Sequence, residues 1–188
     1  TERVWQQVLK TALERKVPIL VPYAKMFGSV YLQPLGPCLN QKEIPCIIQA
    51  HPKFTSNDNS IVLRVTYGSR HLLLAGDVEQ KGKQWLLKQK ELNMSADILK
   101  AGHHCSKTSS SNEFLQAVSS SIAICSMGRK NHYGFPHVEV LSRFQTKGMT
   151  VYRTDLDGAI QVIFSEQDEL SISTTLSRNE HNEARTID

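Results

Sequence analysis

An α/β domain built on a mixed sheet is what this sequence predicts, and three observations predict it. Strand-like apolar runs alternate with helix-compatible segments through most of the chain, the order that layered α/β domains show. A run rich in β-branched residues, Ser60–Tyr67, leads through a hairpin-like Gly68-Ser69 turn into the apolar run His71–Ala75. The chain has 188 residues, 40% hydrophobic and 21% charged, with mean hydropathy −0.31. That is one globular domain's worth of chain, not a disordered or fibrous one.

The elements follow in order. Glu2 to Lys16 reads as an amphipathic helix, with Val4, Val8, Leu9, Ala12 and Leu13 at helical spacing and Thr1 placed to cap it. Val17–Val21 is a short strand candidate, and Ser29–Leu32 and Ile44–Ala50 are two more, separated by the Pro/Gly/Asn-rich stretch Gln33–Asn40. Thr55–Asn59 is a polar turn before the hairpin. Val78 to about Leu92 suits a helix with Trp85, Leu86 and Leu87 buried, and Ala96–Ala101 suits a buried strand. Ser109–Glu113 is a helix start of the capping type. Ile122–Cys125 is a strand, Gly128–Pro136 a loop, and His137–Lys147 a helix closed by Gly148. Val151–Arg153 and Ala159–Phe164 complete the strands. The domain is expected over 1–176, with a disordered acidic tail at 177–188.

No uncharged run approaches the roughly 20 residues that cross a bilayer. The chain opens at Thr1 with no leader-like segment, as expected of a mature product, an excised domain or a fragment. Cys38, Cys46, Cys105 and Cys125 show no CxxC spacing, which excludes a zinc ribbon or a redox CxxC, and buried free thiols are expected. The net charge of +4 conceals an asymmetry: residues 1–164 hold 20 of the 22 basic and 12 of the 18 acidic side chains, a formal +8. A basic body permits a polyanionic partner such as DNA without demanding one.

Chemistry is placed at two strand ends. Asp77 follows Leu72–Ala75 and Gly76; His103 and His104 follow the second apolar run and Gly102. Strand ends at one sheet edge are where α/β folds gather functional groups, and a carboxylate with an imidazole suits Zn²⁺ or Mn²⁺. From residue types alone a helix-capping aspartate and a loop His pair stay open as alternatives.

Five blocks carry a resemblance: Asn57–Leu63, Leu73–Glu79, Ala96–Ser109, Asn131–His137 and Tyr152–Ile160. In this order they resemble the C-terminal metallo-β-lactamase-like domain of the ComEC/Rec2 DNA-internalisation competence proteins. The resemblance implies an αββα sandwich, present here as its C-terminal half, and a metal-dependent hydrolase, a phosphodiesterase or DNA nuclease. It implies Asp77, His103 and His104 as metal ligands for one or two Zn or Mn ions, and Asp77, His103 and His137 as catalytic residues. Lys107, Asn131 and Tyr133 fall on the substrate side, with Lys107 a point charge for phosphate and Asn59 and Ser60 candidates for orienting the ligands. DNA and the rest of a parent membrane protein are the implied partners, on the extracytoplasmic side of a bacterial inner membrane.

Three departures bear on that expectation. The family's HxHxDH motif is absent, and no two histidines in the chain are spaced HxH. Cys105 stands where the family has glycine, either crowding a turn or offering a substitute thiolate. Phe135 replaces a histidine of the Gly-His-Pro-His pattern. The expected function is therefore the hydrolase portion of a competence DNA-uptake protein, weak or inactive alone. Two alternatives stand beside it: an inactive binding or structural module of the same fold, or a metallohydrolase of another ester.

Overall fold

The computed structural model describes residues 2–17, 24–36 and 51–176. The expected strand at Ile44–Ala50, most of that at Val17–Val21, the Thr1 cap, Cys38, Cys46 and the acidic tail lie outside them. No helix among the described residues is long and apolar enough to cross a membrane.

Helix α1 spans Glu2–Glu14, close to the predicted segment. Strands β1 (Lys25–Phe27), β2 (Val30–Gly36), β3 (Val62–Tyr67) and β4 (Arg70–Leu74) form an antiparallel meander. From β4 the chain alternates through α2 (Gln80–Lys88), β5 (Ile98–Lys100), α3 (Asn112–Val118), β6 (Ile122–Cys125), α4 (Val138–Thr146) and β7 (Thr150–Arg153). Strands β4 to β7 pair in parallel. The result is a mixed sheet, as the sequence predicts, with seven strands in sequential order, β1 to β7. It is an open sheet.

Right-handed crossovers taken in one direction place α2, α3 and α4 on one face. Leu73, Leu99, Ala123 and Val151 are neighbours across β4 to β7, and the first three are fully buried. They belong to the core with Leu86, Phe114, Leu115, Val118, Val140 and Phe144 from the helices. Burial of those large side chains, about 1.5–3 kcal/mol each, holds the helical layer to the sheet. Local signals set the helix ends: the Ser111 side chain accepts from Phe114 N at the start of α3, and Gly148, at φ +67°, follows α4.

The structure departs from the sequence expectations at four places. Strand β1 was not predicted; its three residues are all exposed, so no alternation marks it. Strand β2 runs on through Gln33–Gly36, which reads as a separator; the pairing register shifts between Pro34 and Gly36, an irregularity that accommodates a residue without an N–H. A Cβ on Gly36 would meet the Trp85 ring at 2.7 Å, so this glycine brings α2 onto the strand. Helix α2 is shorter than expected and buries Gly82, Lys83 and Leu86, with Trp85 and Leu87 only partly covered. Finally, after α5 (Thr154–Asp157), β8 (Ile160–Phe164) pairs with β9 (Leu170–Thr174) as a separate two-stranded ribbon. Its turn reaches the β3–β4 hairpin: Ser69 N donates to Asp168 Oδ1 (2.9 Å) and Arg70 Nε to the Asp168 carbonyl (2.7 Å).

Candidate functional site

The site is built where β4, β5 and β6 end side by side. Gly76 turns the chain after β4 at φ +55°, and a Cβ there would lie 2.8 Å from Ser60 Cβ. The turn presents Asp77, whose N–H donates to Ser60 Oγ (3.0 Å). Of the two residues expected to orient the ligands, Ser60 therefore does reach the aspartate. Asn59 instead ties His51 and Phe54 together, accepting from His51 N (2.7 Å) and donating to both carbonyls. Across the edge His103 N donates to the Gly76 carbonyl (3.1 Å), stitching the β4 and β5 exits to each other.

His103–Cys105 form a single 3-10 turn in which three consecutive non-glycine residues have positive φ, 43°, 52° and 62°. Left-handed geometry costs L-residues roughly 1–2 kcal/mol each, so the surroundings must enforce it. Cys105 is the anchor. It is fully buried, its carbonyl accepts from His137 N (3.1 Å), and its sulfur is bonded to Cys125 at the end of β6, with Cα atoms 5.7 Å apart. The expectation of free thiols is thereby overturned for this pair. Burial brings the two sulfurs together without any spacing signal in the sequence. While the bond stands, Cys105 offers no thiolate to a metal.

The two imidazoles part company. His103 Nδ1 lies 3.0 Å from Glu79 Oε1 and 3.3 Å from Ser106 Oγ, in a small network that Thr108 Oγ1 joins through Glu79 (3.3 Å). His104 Nδ1 donates to the Ser126 carbonyl (2.7 Å), because a carbonyl can only accept. Its Nε2 faces Asp77 Oδ1 at 3.9 Å. Metal-binding histidines usually spend one ring N–H on a carbonyl or carboxylate and present the other nitrogen to the ion, and here the presented nitrogen lies beside Asp77.

For Zn²⁺ or Mn²⁺ these residues offer only part of a coordination sphere. Two ligands of one tetrahedral ion stand roughly 3.3 Å apart, so the Asp77–His104 separation is near what half a site requires. A catalytic zinc takes three protein ligands, and no group of three or more His, Cys, Asp or Glu able to hold a metal occurs among the described residues. Half of such a site fits; a whole one does not.

The remaining predicted residues surround this edge. His137 caps the start of α4, and its Nδ1 accepts from Lys107 N (3.2 Å), so it holds the loop after the His pair. The Lys107 side chain is exposed, while its carbonyl accepts from Arg143 (3.1 Å). Asn131 uses its amide on its own loop, donating to the Gly128 and Phe135 carbonyls (3.1 and 2.8 Å) and accepting from Phe135 N (2.8 Å). Tyr133 is 75% exposed and stacks on Phe135 with ring centres 5.5 Å apart.

Sequence reasoning missed four participants. Glu79 lies two residues past Asp77, a spacing too common to stand out. Ser126 acts through its carbonyl, which no side-chain motif reports. Lys100, on β5, is held below its ordinary value by burial, against the opposing pull of the Asp77 carboxylate. Lys83, only 3% exposed, donates to the Thr108 carbonyl; burial, aided by the Arg143 charge and opposed chiefly by Asp58, lowers it to about 8.

A mixed open sheet with helices between its parallel strands, and an acid–imidazole pair where two of those strands end, defines an α/β protein of the strand-edge kind. No family model matches the chain. It is 40% identical over 107 residues to ComE operon protein 3 of Bacillus subtilis, covering 57% of this chain and 14% of that protein. It is 43% identical over 105 residues to competence protein ComA of Neisseria gonorrhoeae, covering 56% and 15%. With recombination protein 2 of Haemophilus influenzae it shares 38% over 128 residues, covering 67% and 16%. Over the matched stretch the chain is similar to these competence and recombination proteins, and it spans about 15% of their length.

Proposed function

We infer that this segment serves DNA handling in a competence-type DNA-uptake protein, as one part of a metal-dependent phosphodiesterase centre. It contributes Asp77 and His104 as two ligands for Zn or Mn and does not cleave DNA by itself. The observation that carries this reading is His104: its Nδ1–H is spent on the Ser126 carbonyl and its Nε2 is aimed at the Asp77 carboxylate. A bound divalent ion would supply an activated water for attack on phosphorus. The chain's own residues hold the edge: Ser60 fixes Asp77, Glu79 fixes His103, and His137 fixes the loop that carries Lys107.

The relatives' names support a role in competence. The formal +8 of residues 1–164 supports a polyanionic ligand, and the Cys105–Cys125 bond supports an oxidising, extracytoplasmic setting. The second reading, a binding module without hydrolysis, draws on the missing third ligand.

Calorimetric titration with Zn²⁺ and Mn²⁺, beside DNA binding across a salt series, tests both. Weak metal uptake is expected, lost in Asp77→Ala and His104→Ala, with DNA affinity that falls steeply with salt and survives EDTA. Metal uptake unchanged in both variants removes the half-site and leaves the binding module. Affinity that does not vary with salt removes phosphate-driven binding altogether.

A further inference from the structure

Phe135 stands at the centre of a ring cluster that the metal half-site does not use. His103 and His137 meet it edge-on, with centroids at 5.7 and 5.3 Å. His104 lies near-parallel to it at 6.0 Å with planes inclined by 26°, and Tyr133 at 5.5 Å and 17°. Through Phe135 the Asp77–His104 pair is thus connected to Tyr133, which is three-quarters exposed. The Asn131 amide holds the loop in this shape from both sides of Phe135, so the stack is pre-organised.

Asp77 and Glu79 face His104 and His103 from the β4 exit, but the charges on the segments that carry the rings point one way. The two segments that build the cluster, 102–112 and 126–137, contain Lys107, Arg129, Lys130 and four histidines, and no aspartate or glutamate. Lys107, Arg129 and Lys130 are all exposed. An outward-facing aromatic step flanked by cations suits a ligand with flat apolar faces and a regular string of negative charges. A single-stranded polynucleotide has both; a duplex hides its base faces inside the stack.

We propose that Tyr133, backed by Phe135 and His104, is a base-stacking platform that takes unpaired DNA bases and leads the strand toward Asp77, with Lys107, Arg129 and Lys130 along its phosphates. The proposal rests on the DNA reading above and narrows it to single strands with intact bases. A histidine at position 135 would compete for protons and hydrogen bonds; phenylalanine commits the position to stacking.

Fluorescence anisotropy of the 188-residue chain with three labelled probes of equal length tests it: an oligothymidine, an abasic strand and a duplex. The wild type is expected to bind oligothymidine about tenfold more tightly than the abasic strand. Tyr133→Ala should erase that preference, Tyr133→Phe should keep it, and neither should move abasic binding. Because Tyr133 is exposed, the alanine variant keeps the fold, which circular dichroism checks. Equal affinity of the wild type for oligothymidine and abasic strand overturns the platform while leaving DNA binding in place. An unchanged preference in Tyr133→Ala overturns it too. No binding to any probe overturns both this proposal and the reading beneath it.

Discussion

Breaking the Cys105–Cys125 bond is the sharpest perturbation this structure offers. The bond closes a loop of sequence separation 20, and loop-closure entropy alone makes such a link worth about 3 kcal/mol at 25 °C. For a chain of this size about 2–4 °C of Tm accompany each kcal/mol, so its loss lowers Tm by about 6–12 °C. Cys125 is fully buried, and removing its sulfur adds a packing loss of about 1 kcal/mol. Urea unfolding of wild type and Cys125→Ala, each with and without reductant, separates the two contributions. Under oxidising conditions the variant should trail the wild type by about 4 kcal/mol, and under reductant by only about 1. A gap that stays the same in both conditions would refute the reasoning, since the loss would then lie in packing and not in the link. The His turn supplies a second readout: without its anchor at Cys105, the ring signals of His103 and His104 in NMR spectra should broaden.

Other consequences are open to measurement. Gly76→Ala meets both a positive φ and a contact of 2.8 Å with Ser60, so a loss of at least about 1–2 kcal/mol is expected in denaturant melts. Asp77 is the next residue, and metal uptake should fall with it. Lys83 titrates near 8 when folded against an ordinary value of 10.5. Between those pH values the unfolded chain therefore binds more protons, and stability should rise with pH, by up to about 3 kcal/mol. Lys83→Met should flatten that rise; an unaltered pH profile would acquit the lysine. Ser111→Ala removes the cap on Phe114 N and should cost about 1 kcal/mol, read from the urea midpoint.

The sheet was legible where pattern and burial coincide. Strands β3 to β7 and helices α3 and α4 carry apolar runs bounded by Gly, Ser and Asn, and they fall close to their predicted ranges. Elements stabilised from a distance were not legible. Strand β1 has no buried face, and β9 exists only as the partner of β8. Around the site, Asp77 and the His pair were marked by the turns that end their strands. Which imidazole faces the aspartate was not, because that depends on the Ser126 carbonyl and on Glu79, 22 and 24 residues away. The disulfide escaped for the same reason. Twenty residues of sequence separate two sulfurs that only the adjacent exits of β5 and β6 bring into reach.

The Asp168 clasp has a consequence for how the molecule comes apart. One carboxylate near the end of the described chain grips a turn about a hundred positions earlier, fastening the terminal ribbon to the antiparallel half like a buckle. Hydrogen bonds from Ser69, helped by the Arg70 charge, hold this carboxyl below its ordinary value, so the grip persists at neutral pH and fails as acid protonates it. Acidification to below the ordinary carboxylate range should therefore loosen the ribbon, exposing residues 160–174 to proteases, and milder acid should leave the clasp closed.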